Sequence, residues 1–491
     1  MLEKIRQKLL AFVESDKDVP LLAGFSVGFY MILFYYSKNF SLANSWQQLL
    51  FFTAYYIVMP MVVFYVGYKT ASVLKLQAYR KNLLFVGIIS FFVYYFLQMN
   101  TVGFSKKIIF AGAIIFACLL SIRFKKYYKL FVLLLFLMAF FNVGPLLSIA
   151  GVAISASDEW KKQPDGIDNI VFKKKPNIYY IQPDGYTNFS NLESNTYYNF
   201  DVSNFKGYLQ DKGFVTYDNY RSNYPSTLLS NSATFSMKHH YIAEDIDSYA
   251  ARSAIIGQNP VLHILKQNGY KTSFITENPY LLMNRVEPGY DFLNIRYNEI
   301  PFLKDGFGTV RDVAADLKKQ ISVNGKTGNF YFVEKFTPGH IQVYETGSRK
   351  EEEQKKYRQS VQKANVWLED VVNFIALNDP SAIIIIGADH GGFAGFDYTL
   401  ESYTKTNDPA LIRSMFGAQL SIKWNDPKSK EYDANLTTGV NLFRTVFSFL
   451  AQDKSYLVHL QENSSYTELK NPKGYYRYIN GDDKIVFEKL K

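Results

Sequence analysis

Ile383-Ile384-Ile385-Ile386-Gly387-Ala388-Asp389-His390-Gly391-Gly392 decides the fold class, because an apolar run of strand length ends here in an acid, an imidazole and two glycines. Asp and His are metal-ligand types, and glycines let another group approach closely. A second strand-like run, Asn177-Ile178-Tyr179-Tyr180-Ile181-Gln182, also ends in an acidic turn, Pro183-Asp184-Gly185, and can deliver a carboxylate to the same edge. Strand patterns at 271–276 and 329–335 alternate with helical ones: 260–267 closed by Gly269, and Tyr357, Val361, Ala364, Leu368, Val371 and Ile375 at spacings of three and four. This alternation predicts an α/β domain with a mostly parallel sheet covered on both faces, and ligands at the carboxyl ends of its strands.

Upstream the chemistry changes. Between Asp18 and Asp158 there is no Asp or Glu, and five stretches, 19–37, 39–68, 82–105, 108–122 and 130–157, carry no charge at all. Crossing the hydrocarbon takes about 20 apolar residues, so these predict an α-helical membrane domain of five spans. The short fourth stretch is included because charges flank it on both sides. Lys and Arg concentrate before the first span and in the second and fourth connections, which predicts an inside N-terminus and everything after Ser157 outside. The first span reads as a retained anchor rather than a cleaved signal. Residues 1–17 read as either a short surface helix or a frayed terminus, and Gly144-Pro145 is expected to kink or end the fifth span. The expected organisation is a transmembrane domain over 1–157, a polar linker over 158–175 and an exported catalytic domain over 176–491.

The net charge of +10 follows this division: residues 1–157 carry net +11 and the remainder net −1. The basicity therefore belongs to membrane topology, and a nucleic-acid partner is not expected. Cys118, the only cysteine, falls in the fourth span, so the exported part relies on core packing rather than disulfides.

A metal site needs something to act on. In Ser222-Asn223-Tyr224-Pro225-Ser226-Thr227-Leu228-Leu229-Ser230, a hydroxyl at a helix start beside a divalent ion becomes a usable nucleophile. Thr227 and Ser226 are both candidates, and either can instead serve as a helix cap; Asp184 and Asp389 have the same alternative as turn or cap residues. His263 and His459 read as structural, as does the pair His239-His240, which is the first to revisit as a substrate contact.

Taken in order, strand-Asp184, Thr227 and Ser230 in a Thr-x-x-Ser pattern, Pro338-Gly339-His340, and strand-Asp389-His390-Gly391 resemble the alkaline phosphatase superfamily. The match is closest to its membrane-anchored, sulfatase-like phosphotransferases, the group that includes lipoteichoic acid synthase and the lipid A phosphoethanolamine transferases. Val440-Asn441-Leu442-Phe443-Arg444 and Asp453-Lys454-Ser455-Tyr456 extend the resemblance into the tail.

The resemblance implies an alkaline-phosphatase-like fold in which Asp184, Thr227, Asp389 and His390 surround one divalent cation, manganese, magnesium or zinc. It implies Thr227 as nucleophile of a double displacement and His340 as the residue that contacts substrate or assists the leaving group. It implies a bacterial cytoplasmic membrane enzyme moving a phosphoethanolamine- or phosphoglycerol-type group from a lipid donor to a surface glycan or lipid. A phosphodiesterase or phosphatase on the same site, and a non-catalytic scaffold for surface-polymer assembly, are the alternatives. Phe336 stands where two-metal members carry an Asp, which argues against a complete second metal site. No Arg follows Tyr224-Pro225-Ser226-Thr227 and no cysteine is near, which argues against sulfate ester hydrolysis.

Overall fold

Four stretches, Pro20–Phe40, Trp46–Val73, Gln77–Met99 and Lys106–Ile154, are long and apolar enough to cross a bilayer by length and composition. The last contains two helices, Lys106–Phe124 and Tyr128–Ser155, joined by the turn Lys125–Tyr127, so five apolar helical segments precede the α/β domain. The computed structural model describes residues 2–99, 106–155, 159–194, 196–240, 248–303, 308–325 and 328–490. Two compact units result: Met1–Ser155 with Pro301–Gly306, and Ala156–Ile300 with Phe307–Lys491. The boundary expected at Ser157 lies outside the described residues.

In the helical unit, residues 2–14 form the short helix expected as one reading of the terminus. Lys38 was expected to end the first span; the helix kinks at the next residue, Asn39 (φ −128°, ψ 25°), a further short turn reaches Ala43, and the next helix begins at Trp46 behind a Ser45–Gln48 capping box. Charges mark membrane interfaces whereas caps mark helix ends, and the two differ here by several residues. Nor does Gly144-Pro145 end the fifth span: Tyr128–Ser155 is one helix with Pro145 inside it. A proline removes a single N–H from the ladder, and a long apolar helix tolerates that loss.

The α/β unit is built on a seven-stranded sheet. Its strands are β1 (Ile178–Pro183), β2 (Val215–Thr216), β3 (Lys271–Thr276), β4 (Phe292–Leu293), β5 (Asn329–Lys335), β6 (Ile383–Gly387) and β7 (Leu420–Lys423), in spatial order β2-β7-β6-β1-β5-β3-β4. The run β6-β1-β5-β3-β4 is parallel, while β7 and β2 add antiparallel pairs at one edge. Ile181 of β1 lies beside Val333 of β5 and Ile386 of β6, so the three central strands finish level with one another. Every residue of β1 and β6 is buried, as a sheet covered on both faces requires. The helix Lys350–Asn378 packs its predicted face inward, with Tyr357, Val361, Ala364, Leu368, Val371 and Ile375 all buried.

Two features depart from the sequence reading. Within the stretch expected to be a polar linker, Trp160, Ile167, Ile170 and Phe172 are buried, the last three of them in the core of the α/β unit. The chain also closes with a three-stranded antiparallel sheet, β8 (Ser465–Lys470), β9 (Lys473–Ile479) and β10 (Ile485–Lys489), which the strand-helix alternation did not anticipate.

Candidate active site

The carboxyl ends of β1, β5 and β6 converge on one cavity of about 410 Å³, and Asp184, Thr227, His340 and His390 line it. Asp184 follows β1 directly, and its backbone is held from both sides: its N–H donates to the Lys335 carbonyl (2.9 Å) and its carbonyl accepts from Gly339 N–H (2.8 Å). The next residue is Gly185 at φ +66°, where a Cβ would fall 2.2 Å from the Gly339 carbonyl oxygen. Only glycine permits that approach, and it brings the Pro338-Gly339-His340 turn against the Asp184 turn. The Tyr357 hydroxyl, from the long helix, donates to the Gly185 carbonyl at 2.8 Å and accepts from Thr187 N–H at 3.0 Å.

Thr227 opens the helix Thr227–Ser236, with Ser226 as its N-cap residue. The Thr227 hydroxyl Oγ1 donates to Asp184 Oδ1 at 2.9 Å and lies 3.3 Å from His390 Nε2. His390 Nδ1 is 2.8 Å from the Gly391 carbonyl. A carbonyl only accepts, so Nδ1 carries a proton, and Nε2 is the nitrogen that faces Thr227. Asp389 accepts from Gly185 N–H through Oδ1 at 3.1 Å, while its buried Oδ2 has no hydrogen-bond partner and lies 3.5 Å from His390 Nε2.

Ligand atoms of Asp184, Asp389 and His390 all lie within 4.8 Å of one another, and all three residues are buried. Burial, then the neighbouring Asp389 carboxylate, raises the Asp184 pKa above the usual carboxylate range. Burial lowers the proton affinity of His390, but Asp389 and Asp184 more than offset it. Two buried carboxylates facing each other, a carboxylate oxygen without a donor and an imidazole presenting Nε2 together make a donor set suited to a divalent cation.

His340 stands on the cavity wall with its ring centroid 5.9 Å from that of His390. Its Nδ1 donates to the Ile341 carbonyl at 2.7 Å, which leaves Nε2 as the accepting nitrogen. Burial, followed by His390, lowers its pKa, which favours the neutral ring.

The structure brings together all five residues singled out from the sequence. His239 and His240 have other work. The Tyr224 hydroxyl and His239 Nδ1 are 3.1 Å apart, His239 Nε2 meets the Glu462 carbonyl at 2.8 Å, and His240 Nε2 meets the Leu229 carbonyl at 3.0 Å. Burial pushes both imidazoles down to about 4, so they act as neutral braces around the loop that carries Thr227. Phe336, read from the sequence as standing in place of a second-site Asp, also lines the cavity, as do Tyr280, Phe393, Thr399, Tyr403 and Glu468, which carried no sequence signal. The tail motif is likewise structural: Arg444 is buried and its guanidinium grips Asp165 at 2.7 and 3.2 Å.

No family model matches the chain, and no curated protein matches it. Among solved structures, it is similar to the C-terminal periplasmic domain of EcEptC from Escherichia coli in complex with Zn (13% identity, 64% of this chain and 95% of that chain, TM-score 0.44). A Bacteroides fragilis protein named as a sulfatase is 13% identical over 66% of this chain and 85% of that chain, with a TM-score of 0.40. Over more of its length, the chain is similar to the integral membrane lipooligosaccharide phosphoethanolamine transferase A from Neisseria meningitidis (13% identity, 87% of this chain and 96% of that chain, TM-score 0.43).

Proposed function

We propose that this chain is a metal-dependent transferase of the bacterial cytoplasmic membrane. Its catalytic domain, residues 176–491, faces outward and moves a phospho-alcohol group from a lipid donor to a surface glycan or lipid. The observation that carries the reading is the Thr227 hydroxyl, set at the mouth of a buried Asp-Asp-His group and at the start of a helix. A divalent cation held by Asp184, Asp389 and His390 would stabilise an alkoxide at Thr227 and polarise a phosphoryl oxygen.

In the first half-reaction the Thr227 Oγ–P bond forms while the P–O bond to the diacylglycerol breaks. His340 Nε2, the accepting nitrogen of the neutral ring, takes up the proton that Thr227 gives up and passes it to the departing alcohol oxygen. In the second, His340 Nε2 takes the proton of the acceptor hydroxyl, whose oxygen forms the new bond to phosphorus as the P–Oγ bond to Thr227 breaks, and the proton returns to the Thr227 oxygen. The amide dipoles at the start of the Thr227–Ser236 helix favour the anionic phosphoryl group in both steps. Anchoring in the bilayer supports transfer from a lipid, because donor and site then share a surface and a high effective concentration.

Intact-protein mass spectrometry tests this on the full chain after incubation with a lipid extract and a divalent ion. An adduct is expected on wild type and none on Thr227→Ala. An adduct that survives in the variant would reassign the nucleophile, with Ser226 next in line. Wild type that acquires no adduct but hydrolyses phosphodiesters irrespective of added alcohol would make the protein a hydrolase.

A further inference from the structure

The α/β unit holds a second cavity, of about 280 Å³, that shares no lining residue with the one at Thr227. It lies where the chain leaving β2 meets the helices Phe189–Ser194 and Pro409–Phe416 and the β9–β10 turn, and Asp218, Arg221, Arg413 and Asp483 line it. Among its described lining residues only Gly417 and Ile479 lack a polar side chain, and none is aromatic. Ligand sites begin at roughly 300 Å³, so this one suits a single small polar molecule. Arg221 is 2% exposed, and its Nη2 donates to the Asn463 carbonyl and, at 3.0 Å, to that of Asn480. Its Nη1 meets Asp483 Oδ1 at 2.9 Å as an ion pair without hydrogen-bond geometry, and its Nε has no acceptor. The same Oδ1 accepts from Arg413 Nη1 at 2.6 Å. One carboxylate oxygen, on a side chain 44% exposed, therefore serves two guanidiniums. Asp218 shows the reverse: its Oδ1 is buried without a donor, while Oδ2 lies 3.3 Å from Lys206, which also sits 3.7 Å from the exposed Glu193.

A buried guanidinium with N–H groups left over is costly unless an acceptor occupies the space beside it, and the same holds for a buried carboxylate oxygen without a donor. Burial pulls the Arg221 pKa down to about 10, so the group remains a cation at neutral pH. Donors on a cation and an acceptor, both unanswered at one polar cavity, match a ligand that brings an anionic oxygen and a hydroxyl. We propose that this cavity binds a small hydroxylated anion, a sugar acid or sugar phosphate, whose charged group meets Arg221 and Arg413 and whose hydroxyl donates to Asp218. Asp483 is the built-in competitor, since its carboxylate holds part of the place that the ligand's charge would take. The site stands independently of the transfer reading above.

The test is equilibrium dialysis of the full-length protein in an uncharged detergent against radiolabelled glucose 6-phosphate, glucuronate and glucose. A chelator is present throughout, so that no cation at Asp184 and Asp389 recruits phosphate to the other cavity. At least one of the two anions is expected to bind about tenfold tighter than glucose or better, the ratio that one charge-assisted contact supplies, and the tighter of the two tells a sugar phosphate from a sugar acid. Arg221 is left intact because it also holds the Asn463 and Asn480 carbonyls. Arg413→Gln should weaken the bound anion by about tenfold. Asp483→Asn should tighten it by a similar factor: asparagine tolerates the left-handed backbone at this position (φ +63°), and the competing charge is gone. A carboxylate that only clamps the two arginines in place predicts the opposite sign, because its loss would loosen them. Anions that bind no tighter than glucose, an Arg413→Gln affinity equal to wild type, or an Asp483→Asn affinity no higher than wild type would each overturn the site. Absence of binding in every arm would leave the cavity to water and overturn it as well.

Discussion

In the helical unit Ile108, Leu119, Ile122, Phe140 and Phe141 are between 62% and 75% exposed, whereas in the α/β unit the isoleucines of β6 are at most 1% exposed. The two regions direct the same kind of side chain in opposite directions because their solvents differ, hydrocarbon outside one and water outside the other. Their buried charges differ in a more instructive way. Lys129 of the helical unit is buried, yet its ammonium donates to the Phe12 and Ser15 carbonyls and to the Ser15 hydroxyl at 2.6–3.0 Å. Asp18, the last acid before the acid-free stretch, accepts from the Tyr68 and Tyr128 hydroxyls. These charges are satisfied and serve architecture. In the α/β unit, Asp389 Oδ2 and Glu334 Oε1 are buried without a hydrogen-bond partner, and Asp184 faces Asp389. Repulsion left standing in a closed site marks chemistry rather than packing.

The strongest way to break this contrast is to relieve the repulsion. Asp389→Asn removes a proposed cation ligand and one of two facing charges, so it should lower the proposed phosphotransfer by at least about a hundredfold. In wild type a divalent ion at 100 times its Kd should stabilise the fold by about 2.7 kcal/mol, and a chelator should reverse this. In Asp389→Asn the ion-dependent shift in melting temperature should vanish, while the chelated variant melts no lower than chelated wild type. An ion-dependent shift that persists undiminished would remove Asp389 from the ligand set.

Arg444 supplies the next test. Its guanidinium is about 1% exposed and pairs with Asp165, so Arg444→Met strands a mostly buried carboxylate and should cost about 3–5 kcal/mol. By contrast Lys81–Asp16 of the helical unit pairs across 3.4 Å with Asp16 fully solvated, and Lys81→Ala should cost under about 1 kcal/mol. Denaturant unfolding of the detergent-solubilised chain, followed through Trp160, Trp367 and Trp424 of the α/β unit and Trp46 of the helical unit, separates the two. Equal losses would mean that burial does not set the energetics of these pairs.

What the sequence made legible divides along physical lines. Buried strands read directly, because the runs that became β1 and β6 are apolar without interruption and finish in residues with ligand chemistry. The register that sets Asp184 beside Asp389 then follows from the parallel pairing of two such runs. Spans read through the absence of charge, although their ends did not, since Ser45 fixes a helix start that no charge marks. Glu468 and Tyr403 were illegible for a different reason. They reach the cavity from a closing antiparallel sheet and an irregular turn, at sequence distances where no periodicity connects them to Thr227, and a single Glu in an alternating strand looks like any solvated face. Arg444 matched a family signature, and only its partner Asp165, in a stretch read as linker, reveals that its role is to hold that stretch down.

The smallest effects separate close packing from open surface inside the helical unit. A Cβ added at Gly28 would fall 1.8 Å from the Tyr56 carbonyl oxygen, whereas one at Gly112 would meet nothing within 4 Å. Helices without a hydrophobic drive between them associate through small residues that let backbones approach, so Gly28 is where the helix Pro20–Ala43 meets the segment around Tyr56. Gly28→Ala must push that contact apart and should destabilise the unit by about 1–3 kcal/mol, a typical overpacking cost. Gly112→Ala adds the same methyl group to an open helix face, where the better helix propensity of alanine should leave stability unchanged or raise it by up to about 1 kcal/mol. Thermal unfolding of the two variants in the same detergent compares them directly. If both behave alike, the approach at Gly28 is not what holds these helices together, and the buried tyrosine hydrogen bonds, such as Tyr95 to the Tyr55 carbonyl at 2.8 Å, become the contacts to remove next.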